Sequence, residues 1–558
     1  MHRKEEWVKS LAFIYEDEAL AREIADKMEM RFEGLETPRK GGWLDEKASM
    51  LITYGDSLHQ EGEKGLQTLH RFLKAHVGDA ISAVHILPMF PYTSDDGFSV
   101  VDYKKIDEKL GDWKDVEALS KDYQLMFDAV VNHISKSSRW FSGYLNCEEP
   151  YRDYFITADP DADYSSVVRP RALPLLTAFD TKEGKKYVWT TFSEDQIDLN
   201  FACPKVLIEV MEVLLTYASR GARFIRLDAV GFLWKEPGTS CMHLPKTHEI
   251  IRLARKLLED YAPGTFLITE TNVPQEDNLS YFGNGRNEAH LVYQFPLPPL
   301  TMFTLLKGDA GHLTEWAAKL PVPAEGTTYF NFLSSHDGIG VRPAEGILSA
   351  EERQFLVDTA LRNGGAVSYK DNGDGTKSPY ELNINYQDAL AGPEDSDEVR
   401  IARFLAAETI LLSLQGMPAI YIHSLLGSRN DYYGKSVSGI PRRINREQLN
   451  AEALEEALTS DTNRRIIFEE LIRRLNIRAH HAAFSPEAAQ EVLQFDKRIF
   501  ALLRTAKEGE RIIVLINVSD EEVGLSLEDI RGIDLLSGIT AEHNILLKGY
   551  ECRWIALE

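Results

Sequence analysis

From about residue 50 onward, short hydrophobic runs alternate with stretches of helical spacing. The runs are Met50–Tyr54, Ala83–Phe90, Leu125–Val131, Ala222–Val230, Thr265–Thr271, His290–Phe295, Thr328–Leu333 and Pro418–Ile422. Between several of them lie amphipathic stretches such as Val206–Ser219 and Thr247–Asp260. A strand that is apolar on both faces belongs in a parallel sheet covered by helices. Eight such runs with helical crossovers predict an α/β chain built on a (β/α)8 barrel, although the same periodicity also fits a doubly wound sheet.

The pattern differs at both ends. Over residues 1–49, Trp7, Leu11, Ile14, Leu20, Ile24 and Met28 recur at helical spacing. This N-terminal helical segment has a packing or oligomer role, a homodimer being the simplest oligomer. Over residues 485–558 the runs become short and β-branched: Glu491–Phe495, Ile499–Leu503, Ile512–Ile516 and Asn544–Leu547. They predict an all-β C-terminal domain, which leaves residues 50–484 for the barrel.

Three connections exceed plain crossovers. Two are insertions at about 134–205 and 424–460, and the third follows His336-Asp337 and carries the turn-rich run from Tyr369 to Tyr380. In a barrel such loops gather at the C-terminal ends of the strands, where sites form.

Composition narrows the picture. A chain of 558 residues exceeds one ordinary core, and 44% hydrophobic content marks it as globular. The formal charge of -25 argues against nucleic acid and anionic membrane as partners. Cys147, Cys203, Cys241 and Cys552 form no Cys-x-x-Cys pair, as expected of free thiols in a reducing compartment. With no apolar signal core at the start and no window long enough to span a bilayer, the expectation is a cytoplasmic enzyme.

Several predicted strands end in polar residues: Asp128 with Asn132-His133, Arg226 with Asp228, Glu270, and His336-Asp337. A single Asp at a strand end is usually a helix cap. Parallel barrel strands, however, send all their C-terminal ends into one mouth, where several carboxylates repel one another unless a task holds them there. Arg226 lies two residues before Asp228, hence on the same face, and is expected to lower its pKa. Glu270 is flanked by Thr269 and Thr271 with no cation, so burial is expected to raise its pKa. No His-x-x-x-His or Glu-x-x-His pair lies in these stretches, so neither a metal nor a cofactor is expected.

Asp128-Ala129-Val130-Val131-Asn132-His133, Phe224-Ile225-Arg226-Leu227-Asp228-Ala229-Val230, Ile268-Thr269-Glu270 and Ser335-His336-Asp337 resemble, in order, the four signature stretches of the α-amylase family of retaining α-glycosidases and transglycosidases. The resemblance runs from about residue 50 to the C-terminus. It implies Asp228 as nucleophile, Glu270 as general acid/base and Asp337 as the third acid, with Arg226 holding Asp228 ionised. It also implies that His133 and His336 bind glucosyl hydroxyls.

Val84-His85-Ile86-Leu87-Pro88, Asp96-Gly97-Phe98, Arg169-Pro170-Arg171, Leu297-Pro298-Pro299-Leu300 and His336-Asp337-Gly338-Ile339-Gly340 are similar to the sucrose phosphorylase branch. Enzymes of that branch pass glucosyl from an α-glucoside to inorganic phosphate. On that resemblance Asp95 and Arg442 close the donor pocket, and Phe192 and Phe232 are its aromatic walls. No Gly-x-x-x-x-Gly-Lys loop is present, so side chains are expected to grip phosphate, and the resemblance implies Arg171 and Tyr380 for that role.

Glu381 stands where that branch usually has glutamine, and Asn272 where it has histidine. With Asp374-Gly375-Thr376-Lys377-Ser378-Pro379, these residues resemble the branch's glucosylglycerate phosphorylases. The implied reaction is 2-O-α-D-glucosyl-D-glycerate plus phosphate to α-D-glucose 1-phosphate plus D-glycerate, through a glucosyl-Asp intermediate. Glu381 would repel a glycerate carboxylate unless Lys370, Lys377 or Arg429 compensates. Phosphorolysis of glucosylglycerol, sucrose or sucrose 6'-phosphate, or simple hydrolysis, are the alternatives.

Overall fold

A computed structural model describes residues 2–171, 173–372 and 376–558. All eight predicted strands are present: β1 (Met50–Thr53), β2 (Ala83–Ile86), β3 (Gln124–Ala129), β4 (Ala222–Leu227), β5 (Phe266–Thr269), β6 (Leu291–Tyr293), β7 (Thr328–Phe332) and β8 (Met417–Tyr421). Each pairs in parallel with its successor, and β8 returns to β1 at Met50↔Ala419, closing a barrel rather than an open sheet. The strands stop short of their apolar runs because the chain turns over the barrel rim there. That rim is where the polar strand ends predicted from the sequence lie.

Four helices show how the barrel is covered. They are α1 (His2–Tyr15), α2 (Glu18–Arg31), α3 (Pro204–Ser219) and α4 (Pro245–Tyr261). Proline at the first position starts both α3 and α4, where its missing N–H costs nothing. On α3, Val206, Leu207, Val210, Met211 and Leu214 form the buried stripe. The α1–α2 hairpin packs on the outer wall. Trp7 donates its indole N–H to Asp260 of α4 at 2.9 Å, and Arg31 pairs with Glu209 and Glu212 of α3 at 2.7 Å each. Helix ends at Arg31, and residues 32–49, with Pro38, Gly41 and Gly42, carry none.

The insertion after β3 contains the helix Arg139–Leu145 and the hairpin Leu176–Thr181/Gly184–Trp189. The run predicted as a turn-rich loop is a second hairpin, Ala366–Asp371 paired with Lys377–Asn383; Gly373, Asp374 and Gly375 lie outside the described residues. The C-terminal sheet has six antiparallel strands. Two of these, Val523–Asp534 and Cys552–Leu557, are not among the predicted runs. The first carries a register break between Ser526 and Arg531, so its alternation does not read as one strand. Buried Arg504 and Trp554 dock this sheet on the helix Asp397–Ser413, bonding Ser413 O at 2.7 Å and Ser413 Oγ at 2.8 Å. Among the described residues no helix is long and apolar enough to cross a membrane.

Candidate active site

The site begins at the end of β4. Arg226 and Asp228 share a face because side chains alternate along a strand. At Ala229 the chain enters the left-handed region (φ 48°), which costs an L-residue about 1–2 kcal/mol. That turn aims the Ala229 N–H at Glu270, whose Oε2 accepts it at 3.1 Å. The Glu270 N–H in turn donates to Leu227 O at 3.1 Å, extending the β4–β5 ladder past the last paired residue. The two predicted reacting acids are thus joined through main chain.

They also share one cation. Arg226 donates to Asp228 Oδ1 at 2.8 Å and lies 3.9 Å from Glu270 Oε2. Behind it the same guanidinium contacts Asp128, which His85 holds at 2.6 Å from the other side. Burial pushes Asp128 up, but Arg226 and His85 more than offset it, leaving the carboxyl at about 2.

Burial raises Asp228 well above the usual carboxylate range, with Arg226 opposing and Glu270 adding to the shift. It raises Glu270 as well, again against Arg226. Arg226 thus lowers Asp228 as expected, but burial outweighs it, because sequence spacing shows the cation and not the desolvation. Five carboxyls and three guanidiniums line the cavity, so full ionisation would leave two buried negative charges unmatched. A proton shared within the Asp228–Glu270 pair relieves part of this. Arg226 opposes the rise at both acids, and its direct charge-assisted bond favours the anion at Asp228 more than its longer contact does at Glu270.

Asp337 follows β7. Burial raises it, but Arg442 at 2.7 Å, then His336 and Arg446, hold it far below the carboxylate range. His336 is buried, which lowers it to about 3, and its ring stacks on Phe98 at 4.8 Å. Arg446 fixes this segment by donating to His336 O at 2.6 Å.

Opposite, His133 Nε2 meets Phe98 O at 2.9 Å, and burial lowers its pKa. Phe192 packs near His133 with ring centroids 5.2 Å apart, and Phe232 stands edge-on behind Phe192 at 5.5 Å. Phe232 does not reach the cavity wall, whereas Tyr380 and Asn272 do. The cavity volume is about 100 Å³.

Asp95 and Arg442 both line the cavity but do not pair with each other. Asp95 pairs with Arg171 at 2.8 Å, and burial offset by Arg171 and Arg442 leaves it at about 2. Arg442 instead reaches Glu381 through two bonds, at 2.9 and 2.7 Å. The charge of Glu381 is therefore met by Arg442 and not by Arg429, which Asp388 holds at 2.6 Å. Sequence reasoning did not single out Gln196, whose amide donates to Asp95 and to Phe98 O at 3.1 Å each, because a lone glutamine carries no pattern. It also passed over Ala229, which acts only through its backbone.

Comparison with known proteins places this geometry. The model for the alpha amylase catalytic domain matches residues 76–338. A glucosylglycerate phosphorylase of Allomeiothermus silvanus is 49% identical over 98% of both chains. The chain belongs to the α-amylase family. Within this family it is also similar to a glucosylglycerate phosphorylase of Escherichia coli, with 45% identity over 93% of each chain. The crystal structure of sucrose 6F-phosphate phosphorylase from Thermoanaerobacter thermosaccharolyticum superposes with a TM-score of 0.74 at 27% identity, covering 85% of this chain and 94% of that one. For an α-amylase family barrel, one anionic and one protonated carboxyl facing a common cavity are the parts that retaining glycosyl transfer requires.

Proposed function

We propose that this α-amylase family chain is a retaining glycoside phosphorylase acting on 2-O-α-D-glucosyl-D-glycerate. The observation that carries the reading is the shared environment of Asp228 and Glu270, with Arg226 bonded to the first and the Ala229 N–H to the second. Asp228 attacks the anomeric carbon while Glu270 gives its proton to the departing glycerate oxygen, and a glucosyl-Asp ester forms. Phosphate then attacks the same carbon, Glu270 takes back a proton, and α-D-glucose 1-phosphate leaves with Asp228 restored. Asp337 and His336 bind the glucosyl hydroxyls alongside Asp95, His133 and Phe192. Arg171 and Tyr380 grip phosphate, and Glu381 and Asn272 face the acceptor.

Because Arg442 is bonded to Glu381 as well as to Asp337, an anionic leaving acid meets less repulsion there than Glu381 alone would exert. Four free thiols support a cytoplasmic setting for the enzyme.

The test is phosphorolysis of glucosylglycerate, glucosylglycerol, sucrose and sucrose 6'-phosphate side by side. Glucose 1-phosphate should form fastest from glucosylglycerate. Release of glucose at a rate indifferent to added phosphate would instead identify a hydrolase.

A further inference from the structure

The cations lining the cavity all have carboxylate partners: Arg171 holds Asp95, Arg226 holds Asp228, and Arg442 holds Asp337 and Glu381. None is left over to meet a carboxylate on the leaving group. The acceptor-side wall leads to a pair that is. Ile339–Gly340 pairs with Leu382 and Glu381, and the Val341 N–H donates to Tyr380 O at 3.2 Å, so Arg342 emerges directly beyond the Tyr380–Glu381 edge. Lys370 lies on the neighbouring strand opposite Ser378, two residues before Tyr380.

The two cations act on each other. Partial burial and then Arg342 push the Lys370 ammonium below its ordinary range. Among the described residues, Glu345 is the acid that opposes this shift, and it is exposed. Among the described side chains, neither Arg342 nor Lys370 makes an ion pair. Two half-buried like charges raise each other's free energy, and an anion between them lowers it.

Asn272 supplies the step inward. Its side chain lies against Gly340, where a Cβ would sit 3.4 Å away, and its buried Oδ1 has no hydrogen-bond partner. A hydroxyl-bearing acid leaving from Glu270 can therefore bond Asn272 with its hydroxyl and extend its carboxylate towards Arg342.

We propose that Arg342 and Lys370 form the anion-binding end of the acceptor subsite and receive the carboxylate of the leaving acid. This rests on the reading that the acceptor is glycerate. Phosphate is the other small anion that uses this mouth, and the test separates the two.

Arg342→Ala, Lys370→Ala and Arg342→Lys are made in the full chain. The kcat/KM is measured on glucosylglycerate and on its uncharged counterpart glucosylglycerol, together with the KM for phosphate. Each alanine variant should lose about tenfold or more on glucosylglycerate, mainly in KM, while changing less than about twofold on glucosylglycerol. Arg342→Lys should recover much of the loss. Equal losses on both donors, or none on either, would overturn the assignment. A raised KM for phosphate with donor preference unchanged would also overturn it, reassigning the pair to phosphate. Wild-type chain that phosphorolyses glucosylglycerol but not glucosylglycerate would refute the glycerate reading itself, whatever the variants do.

Discussion

Glu381 accepts two hydrogen bonds from the single guanidinium of Arg442, whose remaining nitrogen holds Asp337 at 2.7 Å. One cation from the segment after β8 thus ties the loop after β7 to the hairpin that follows it. Breaking a buried ion pair by removing one partner costs about 3–5 kcal/mol. Glu381→Ala should therefore lower stability by up to that amount and, with Arg442 freed to overbind Asp337, lower kcat/KM for phosphorolysis as well. Initial rates of glucose 1-phosphate release check this, with circular dichroism showing the fold intact.

Asp228→Asn should abolish turnover and leave folding unchanged. Glu270→Gln should slow glycerate-type leaving groups by about 10²–10⁴-fold but spare α-glucosyl fluoride, whose leaving group needs no proton. Equal losses on both donors would remove Glu270 from the general-acid role.

Arg171, the proposed phosphate ligand, also neutralises Asp95. Arg171→Ala should raise the KM for phosphate by about tenfold or more and let water take part of the glucosyl-enzyme, seen as free glucose. An unaltered KM for phosphate would limit Arg171 to holding Asp95.

A buried acid outside the site gives a pH prediction. Burial pushes Glu408, on the helix Asp397–Ser413, up to about 8, opposed only by a hydrogen bond with Ser424. Its folded pKa is raised above the unfolded one, so its stabilising effect is complete below about pH 4.5 and is lost as pH rises through about 8. The full loss is about 5 kcal/mol at most, from roughly 1.4 kcal/mol per pKa unit. Chemical denaturation from pH 5 to 9 should show this decline in the wild type. The Glu408→Gln variant should lose less over the same range.

The barrel was legible because its strands are buried on both faces and so read as unbroken apolar runs. The signature acids were legible because each follows such a run directly. What the sequence hid is tertiary. Arg226 sits visibly beside Asp228, yet the desolvation that raises Asp228 appears only once the barrel closes around it. Asp95 gave no sign that its partner is Arg171, 76 residues away. The hairpin from Ala366 to Asn383 read as a loop because turn-forming residues crowd its tip and Pro379 interrupts its second strand.

The left-handed turn at Ala229 has a practical consequence. Because the peptide that follows Asp228 also donates to Glu270, the proposed nucleophile and the proposed proton donor are coupled through main chain as well as through their own rotamers. Acceptor specificity can therefore be re-engineered at positions such as 272, 342 and 381 without retuning the chemical step. Position 229 should be left alone in any such library, since a β-branched residue there would displace both acids together.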